Sequence, residues 1–228
     1  IKTPLIQNLV INLEYPGYTK KIDEKVENTG NLLVPEGTKI SWDVVAYQSD
    51  SVSFTENNRR DYFLETIKNN FTYKKTVLKN MEYTISSSNK HLKDFEKLSY
   101  NLRVIVDEFP SIIVQSNVDS INVENVQFAG QVSDDYGINT LKVIYYNQDT
   151  PTQKKSFFLD ITKANIQTFF YEFPKQLILE KGVDYELYFQ VSDNDAIHGS
   201  KKTNSKKFKY RKQTNEEFNQ EQLKDQKE

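Results

Sequence analysis

The 228-residue sequence contains no cysteine, which excludes a disulfide framework and thiolate chemistry. Seven glycines and six prolines are too few for collagen-like repeats or for a long flexible linker. No apolar run approaches the roughly 20 residues that a membrane-spanning helix needs. The absence of cysteine fits a reducing compartment, and it equally fits a bacterial envelope protein that is stable without disulfide bonds.

Side chains that commonly carry catalysis are also scarce. The two histidines, His91 and His198, lie in polar segments without a cysteine partner or a Gly-x-Ser-x-Gly motif. The sequence has no glycine-rich phosphate loop and no His-Glu-x-x-His motif. We therefore predict no catalytic residue, no bound cofactor and no enzymatic activity. A carboxylate pair for glycoside hydrolysis has no sequence signature and stays open as an alternative.

An excess of charge of one sign is lacking as well. With 30 basic and 32 acidic residues the formal net charge is −2, so we predict no nucleic-acid partner. The main basic run consists of Lys201, Lys202, Lys206, Lys207, Lys209, Arg211 and Lys212. It alternates with Phe208 and Tyr210, which predicts a solvated edge strand, because lysines at an edge discourage strand pairing between molecules.

Tyrosine and phenylalanine are abundant, with 14 of each, and such rings can fill the cores of β-sandwiches. Residues 126–132 alternate apolar and polar side chains, residues 134–137 carry turn chemistry, and the alternation resumes at 141–145. Similar patterns predict strands at residues 9–13, 32–34, 38–44, 52–54, 71–77, 81–85, 100–106, 112–115, 156–161, 168–173, 185–192 and 206–211. Residues 61–68 fit either a short helix or a strand.

The single tryptophan has two interpretations. Trp42 shares one strand face with Ile40 and Val44, and this periodicity favours a core position. The alternative is a platform on which a sugar ring stacks.

The segment Asp107-Glu108-Phe109-Pro110 predicts a domain boundary, because proline cannot donate to a sheet and restricts the preceding residue. Seven predicted strands follow, as in an immunoglobulin-like sandwich. A diverged repeat aligns Lys79–Ile85 with Lys181–Leu187. We predict an all-β fold of two tandem immunoglobulin-like β-sandwiches at residues 1–108 and 109–212. The Thr-x-x-Glu spacing at Thr214 predicts a helix start within residues 213–228, with a disordered tail as the alternative.

Several turn and strand motifs are shared with a known family. They are Tyr15–Thr19, Thr29–Leu32, Val34–Thr38, Asp134–Ile138, Tyr185 with Asp193–Asp195, and Gly199 with Ser205. On these motifs nearly the whole chain resembles the extracytoplasmic region of membrane-anchored envelope proteins of Bacteroidetes-type bacteria that carry a domain of unknown function. The resemblance implies an N-terminal membrane anchor, a long glutamine-rich helical region after this segment, and a location on the periplasmic side of the membrane.

These observations together predict a non-catalytic extracytoplasmic module that serves as a spacer and a protein-interaction surface. We expect a protein partner in the cell envelope, and membrane contact only through segments outside this chain. The first alternative is a glycan-binding module that uses surface aromatic residues such as Tyr145 and Tyr146. The second, less favoured alternative is a carboxylate-based hydrolase.

Acidic residues gather in the loops after the second and sixth strands of the second sandwich. Because these strands run in the same direction, their following loops should meet at one pole, next to the linker. The residues concerned are Asp107, Asp134, Asp135, Asp193 and Asp195. Carboxylate oxygens of this number are suited to calcium, so a cation site is one hypothesis. The competing and favoured hypothesis is that the aspartates form turns by accepting bonds from nearby backbone.

Two triplets, Asp50-Ser51-Val52 and Asp119-Ser120-Ile121, resemble the O-glycosylation acceptor pattern of exported proteins in such bacteria. Ordinary surface turns are the alternative interpretation of both triplets.

Overall fold

The computed structural model describes residues 2–117 and 125–225. The chain divides into two compact units, Ile1–Asp107 and Glu108–Glu228. Both are built almost entirely of β-strands, and each forms an immunoglobulin-like sandwich, so the predicted all-β fold is confirmed. The triplet Asp119-Ser120-Ile121 lies outside the described residues.

The first unit consists of two five-stranded sheets, ordered β2-β1-β4-β8-β7 and β3-β10-β9-β5-β6. The strands are β1 Leu5–Glu14, β2 Glu24–Glu27, β3 Leu32–Pro35, β4 Lys39–Tyr47, β5 Ser51–Glu56, β6 Arg59–Tyr62, β7 Leu64–Ile67, β8 Asn70–Thr76, β9 Met81–Ser88 and β10 Glu96–Ile105. β3 pairs with β10 in parallel, whereas the other pairs are antiparallel.

Period-two alternation explains the core of the first unit. Along β4 every second side chain points inward, and Trp42 at its centre is fully buried, which confirms the core prediction. Its indole Nε1 donates to the Tyr83 hydroxyl at 3.1 Å, and that hydroxyl donates to the Gly30 carbonyl at 2.6 Å. A Cβ on Gly30 would lie 2.4 Å from the Tyr100 ring, so only glycine fits there. These two hydrogen bonds satisfy the buried Trp42 N–H and Tyr83 hydroxyl group.

The second unit consists of one sheet ordered β11-β12-β15 and another ordered β14-β13-β16-β17, with β18 also paired to β16. The strands are β11 Ser111–Ser116, β12 Val126–Ser133, β13 Ile138–Asn147, β14 Lys155–Leu159, β15 Ile166–Phe173, β16 Asp184–Asp193, β17 Lys202–Asn204 and β18 Phe208–Arg211. β18 pairs with β16 and with no other described strand, so it is an edge strand. It carries Lys209 and Arg211, which confirms the basic edge strand predicted from the sequence.

The core of the second unit is aromatic. Phe189 on β16 packs against Phe128 and Phe169, with ring centroids 5.3 and 5.2 Å away. The Phe169 ring occupies the space over Gly130, where an added Cβ would lie 2.4 Å from the ring. Tyr185 is buried at the entry of β16, as Tyr83 is buried at the entry of β9, which agrees with the proposed repeat.

A helix, α1 Asn215–Asp225, follows the second sandwich. Thr214 Oγ1 accepts a bond from the Glu217 N–H at 3.2 Å, while a Glu217 carboxylate oxygen accepts from the Thr214 N–H at 2.8 Å. This reciprocal pair is the predicted capping box, so the helix start is confirmed.

The structure decides between the helix and the strand predicted for residues 61–68, and it contains two strands that were not predicted. Residues 61–68 contain the end of β6 and the whole of β7, and therefore form strands rather than a helix. The short polar strands β2 and β17 were not predicted, because their sequences lack apolar alternation. They pair through the backbone with β1 and β16.

Candidate binding site

The open side of the second unit carries a groove of about 790 Å³ between β14 and β15. Each of these strands is the last strand of its sheet, and a connection at residues 160–165 links them. The groove is therefore the gap between the edges of the two sheets.

Half-buried side chains form the floor of this groove. Phe157 and Tyr171 lie with ring centroids 5.6 Å apart, and Leu159 and Leu177 flank them. Burial, with a smaller effect of Tyr145, raises the pKa of Tyr171 to about 12, so its hydroxyl stays neutral at physiological pH. The floor thus offers neutral apolar surface with one hydroxyl group.

Two exposed phenylalanines stand at the rim. Phe158 on β14 is 64% exposed and Phe170 on β15 is 82% exposed. The Lys142 ammonium lies 4.6 Å from the Phe158 ring centroid, which leaves the rest of that ring accessible. Large exposed rings beside a half-buried apolar floor are a typical feature of interaction sites, and isolated exposed residues are not.

The prediction that Tyr145 and Tyr146 are surface aromatic residues is wrong. Both are buried, although they are neighbours on β13 and point to opposite faces. Tyr145 belongs to the core, where its ring lies 5.7 Å from Phe173. Tyr146 packs with Ile144 and Tyr188 on the outer face, where the ammonium groups of Lys154 and Lys207 lie within 5.5 Å of its ring centroid. Long lysine stems thus cover the outer face of this sheet.

The loops after β12 and β16 meet at one end of the second unit, as the strand directions predicted. The Asn194 amide donates to the Tyr136 carbonyl at 3.3 Å and joins them. Asp134 accepts bonds from the backbone of Tyr136 and Gly137 at 3.1 and 2.7 Å, which is a turn of the predicted kind. Asp135 follows it, and one carboxylate oxygen of each lies within 4.8 Å of the other.

Asp193 and Asp195 are buried and share a cation from their own chain. Lys201 Nζ lies 3.4 Å from an Asp193 oxygen and 2.7 Å from an Asp195 oxygen. Asp195 also accepts backbone bonds from Ile197 and His198, and Asp193 from Lys201. Burial acts to raise the pKa of Asp195, but the Lys201 ammonium and the two backbone donors outweigh it, so the pKa is lowered.

The predicted calcium site therefore stays a prediction. Within the second unit, Lys201 supplies positive charge to Asp193 and Asp195, and the N–H groups of Tyr136 and Gly137 donate to one carboxylate oxygen of Asp134. Asp107 is the last residue of the first unit, whereas the other four aspartates belong to the second unit. The two histidines lie in loops, and neither loop forms part of the groove.

A second candidate surface lies on the first unit, on the outer face of the sheet containing β1, β4 and β8. Asp43 on β4 accepts bonds from the Asn12 amide at 2.7 Å and from the Thr72 hydroxyl at 2.6 Å. A groove of about 820 Å³ covers these groups, and the exposed side chains of Tyr62 and Leu64 form its wall. This face offers donors and acceptors held in fixed positions beside one accessible aromatic ring.

No protein-family model matches the chain, and no curated protein matches its sequence. Among solved structures, a candidate carbohydrate-binding protein from Bacteroides uniformis is 12% identical, with 72% of this chain and 89% of that chain covered and a TM-score of 0.28. Fibronectin(III)-like modules of Clostridium thermocellum CbhA are 14% identical, with 82% and 92% covered and a TM-score of 0.26. A DUF3823 family protein from Bacteroides ovatus is 12% identical, with 72% and 88% covered and a TM-score of 0.29.

Similarity at these identities and TM-scores gives no inference about a ligand or a function. Two of the three structures come from Bacteroides species. In the described residues, no helix has the length and apolarity required to cross a membrane.

Proposed function

We propose that this chain is a non-catalytic, extracytoplasmic interaction module of a membrane-anchored bacterial envelope protein, and that a protein partner binds the groove of the second unit. The observation that supports this proposal is the pair of exposed rings, Phe158 and Phe170, beside an apolar floor. The tandem of two sandwiches supports the additional role of a spacer. The envelope location and the anchor rest on the sequence resemblance.

A protein is the proposed partner because it could bury the exposed rings of Phe158 and Phe170 on binding. Each phenylalanine side chain contributes about 1.5–3 kcal/mol when it is fully removed from water. Aromatic anchors inserted between two surfaces are typical of protein interfaces, in which a few rings supply most of the binding energy. The groove holds few charges, so the driving force is apolar burial rather than charge pairing.

Site-specific photocrosslinking in cells tests this proposal. A photoreactive phenylalanine analogue replaces Phe170 in the full-length protein, and the control places it at Ile113, which is 67% exposed on β11 at the opposite edge of the same sheet. We expect a crosslinked protein of one discrete mass from position 170, and a lower yield when Phe158→Ser is added. Equal crosslinking from position 113, or no effect of Phe158→Ser, would contradict the proposal.

A glycan ligand on the first unit is the second candidate function. It is favoured by the Asn12–Asp43–Thr72 cluster with the exposed ring of Tyr62, since sugars combine hydroxyl groups with apolar ring faces. A glycan array probed with the whole chain tests it. Binding should be lost on Tyr62→Ala and kept on Tyr47→Ala, where an exposed tyrosine lies outside this groove. An array without signal would remove this candidate.

A further inference from the structure

β8 in the first unit corresponds to β15 in the second, since each is the third strand in the order β1-β4-β8 or β11-β12-β15. In each strand, one hydrogen bond shows which residues direct their N–H and C=O groups towards the paired strand. The Asn69 carbonyl, just before β8, accepts from the Ala46 N–H at 2.9 Å. The Asn165 carbonyl, just before β15, accepts from the Asp134 N–H at 2.8 Å. In antiparallel pairs the N–H and C=O of one residue point to the same side, and the side alternates from residue to residue. Thr72 and Thr168, each three positions after its asparagine, therefore direct both groups away from the paired strand.

In the first unit another strand receives these groups. β7 pairs with β8 in antiparallel orientation, with Leu64 opposite Thr72. Phe63, just before β7, is buried and its ring lies 5.5 Å from Tyr73 on β8. The first unit thus covers both the backbone edge of β8 and the aromatic ring beside it with its own chain.

In the second unit the corresponding edge is open. The backbone groups of Ile166, Thr168, Phe170 and Glu172 point away from β12, and no described strand pairs with that side of β15. Where β7 would lie, the second unit has the groove over Phe157 and Tyr171. The segment that could fill this position, residues 160–165, forms a connection without strand structure.

The sequence of β15 does not protect this edge. Exposed edge strands usually carry lysine, proline or an inward-pointing charge, which prevent pairing with other chains. β15 reads Ile-Gln-Thr-Phe-Phe-Tyr-Glu-Phe and has one charged residue, Glu172. The edge strand β18 of the same unit carries Lys209 and Arg211 among four residues. An eight-residue edge with one charged side chain is the kind of strand that accepts another strand.

We propose that an extended segment of the protein partner adds to the second unit as an antiparallel strand along β15, in the place that β7 takes in the first unit. This inference rests on the proposed function and specifies how the partner binds. Every second residue of the segment should be apolar, so that its side chains lie on Phe157 and Tyr171 as Phe63 lies on Tyr73. Its backbone should exchange hydrogen bonds with Thr168 and Phe170.

The probe is a random nine-residue peptide library displayed on phage and selected against the whole chain. Thr168→Pro removes an N–H that points away from β12, so the ladder to β12 stays intact and proline is tolerated. Thr168→Val is the matched control, because it changes the same side chain and keeps the N–H. Amide hydrogen exchange of the wild-type chain, with and without an enriched peptide, supplies a measurement that needs no variant.

We expect enriched peptides with alternating apolar residues. A peptide at about ten times its Kd should slow exchange at Thr168 and Phe170 by about tenfold, since only the free fraction exchanges. Thr168→Pro should weaken peptide binding by about tenfold, which corresponds to one lost hydrogen bond of about 1.4 kcal/mol, and Thr168→Val should not.

The outcomes separate this inference from the proposed function. If Phe170→Ser abolishes binding while Thr168→Pro and hydrogen exchange show no effect, the groove binds through side chains and strand addition is wrong. If no peptide is enriched and position 170 gives no crosslink in cells, both proposals are wrong. If the chain dimerises without peptide and Thr168→Pro dissolves the dimer, the edge is occupied by a second copy and the proposed partner segment is overturned.

Discussion

The first unit ends one of its sheets with β7, whereas the corresponding sheet of the second unit ends at β15, with no further strand among the described residues. The two units differ in the segment that precedes strand β8 or β15. After β6 the first unit changes sheets and continues at once as β7, while after β14 the second unit uses residues 160–165 as a plain connection. One sandwich therefore pairs this edge with its own strand β7, whereas no described strand pairs with the corresponding edge of the other.

The units also differ in how they enclose polar groups. In the core of the first unit, hydrogen bonds from Trp42 through Tyr83 to Gly30 join neutral donors and acceptors, and Glu36 is buried elsewhere in the same unit. The second unit buries charge, with Asp193 and Asp195 on Lys201. Removing one member of a buried ion pair leaves an uncompensated charge, whereas removing a neutral partner leaves one unsatisfied atom. Substitution of Lys201 should therefore have a larger effect than substitution of Tyr83.

The largest effect is expected for Lys201→Met, which leaves two buried carboxylates without their cation. We expect the free energy of unfolding of the second unit to fall by about 3–5 kcal/mol while the first unit is unchanged. Chemical denaturation followed by amide exchange in each unit measures this. Lys202→Met, at an exposed neighbour, is the control and should have almost no effect. A loss below about 1 kcal/mol for Lys201→Met would contradict the account.

A smaller effect is expected for Tyr83→Phe in the first unit. The change leaves the Trp42 N–H and the Gly30 carbonyl without their buried partner and should cost about 1–3 kcal/mol. The corresponding change Tyr185→Phe should cost less, because the Tyr185 hydroxyl accepts one bond, from the half-buried Glu180 N–H. Denaturant titration of the two variants compares them, and an equal loss would show that the two tyrosines do not differ in this way.

A third pair of substitutions compares the two edges directly. Thr72→Pro removes an N–H that β7 accepts, and it should cost about 0.5–1.5 kcal/mol more than Thr72→Val. Thr168→Pro removes an N–H that faces solvent, so it should differ little from Thr168→Val. Thermal melting of the four variants measures these differences. A larger proline effect at position 168 than at position 72 would be inconsistent with an open β15 edge.

The smallest effect concerns pH. The pKa of Asp195 is lowered in the folded state, so the unfolded chain binds its proton first as the pH falls. The stability that Asp195 contributes is therefore complete above its unfolded pKa of about 3.9 and is lost as the pH falls through its folded pKa. Unfolding measured from about pH 5 to about pH 2 should show a steeper loss for the wild type than for Asp195→Asn. Identical pH profiles would mean that Asp195 contributes nothing.

Much of the fold could be predicted from the sequence where apolar residues alternate. The burial of Trp42, the strands of both cores and the capping box at Thr214 each follow from a local pattern. β2 could not be predicted, because Val26 is the single apolar residue of Glu24–Glu27 and one residue makes no alternating pattern. Residues 61–68 stayed ambiguous, because Leu64 and Ile67 are three positions apart, which also suits a helix.

The candidate binding groove could not be predicted from local sequence patterns. The sequence around Phe157, Phe158 and Phe170 does not distinguish a groove from a closed core. The groove exists because no described strand of the second unit takes the place that β7 has in the first unit. Tyr145 and Tyr146 were assigned to the surface, but stems of distant lysines cover one face of their strand. The role of Lys201 was also missed, since its contact with Asp193 and Asp195 depends on how the loop after β16 folds back.

Amide hydrogen exchange of the whole chain without a partner tests the central claim most directly. Thr168 and Phe170 should exchange close to the rate of an unstructured peptide, because their N–H groups face solvent at the open edge. Phe169, which faces β12, and Thr72, which faces β7, should both be strongly protected. If Thr168 is as well protected as Phe169 in the monomeric chain, the β15 edge is already covered and the account is wrong.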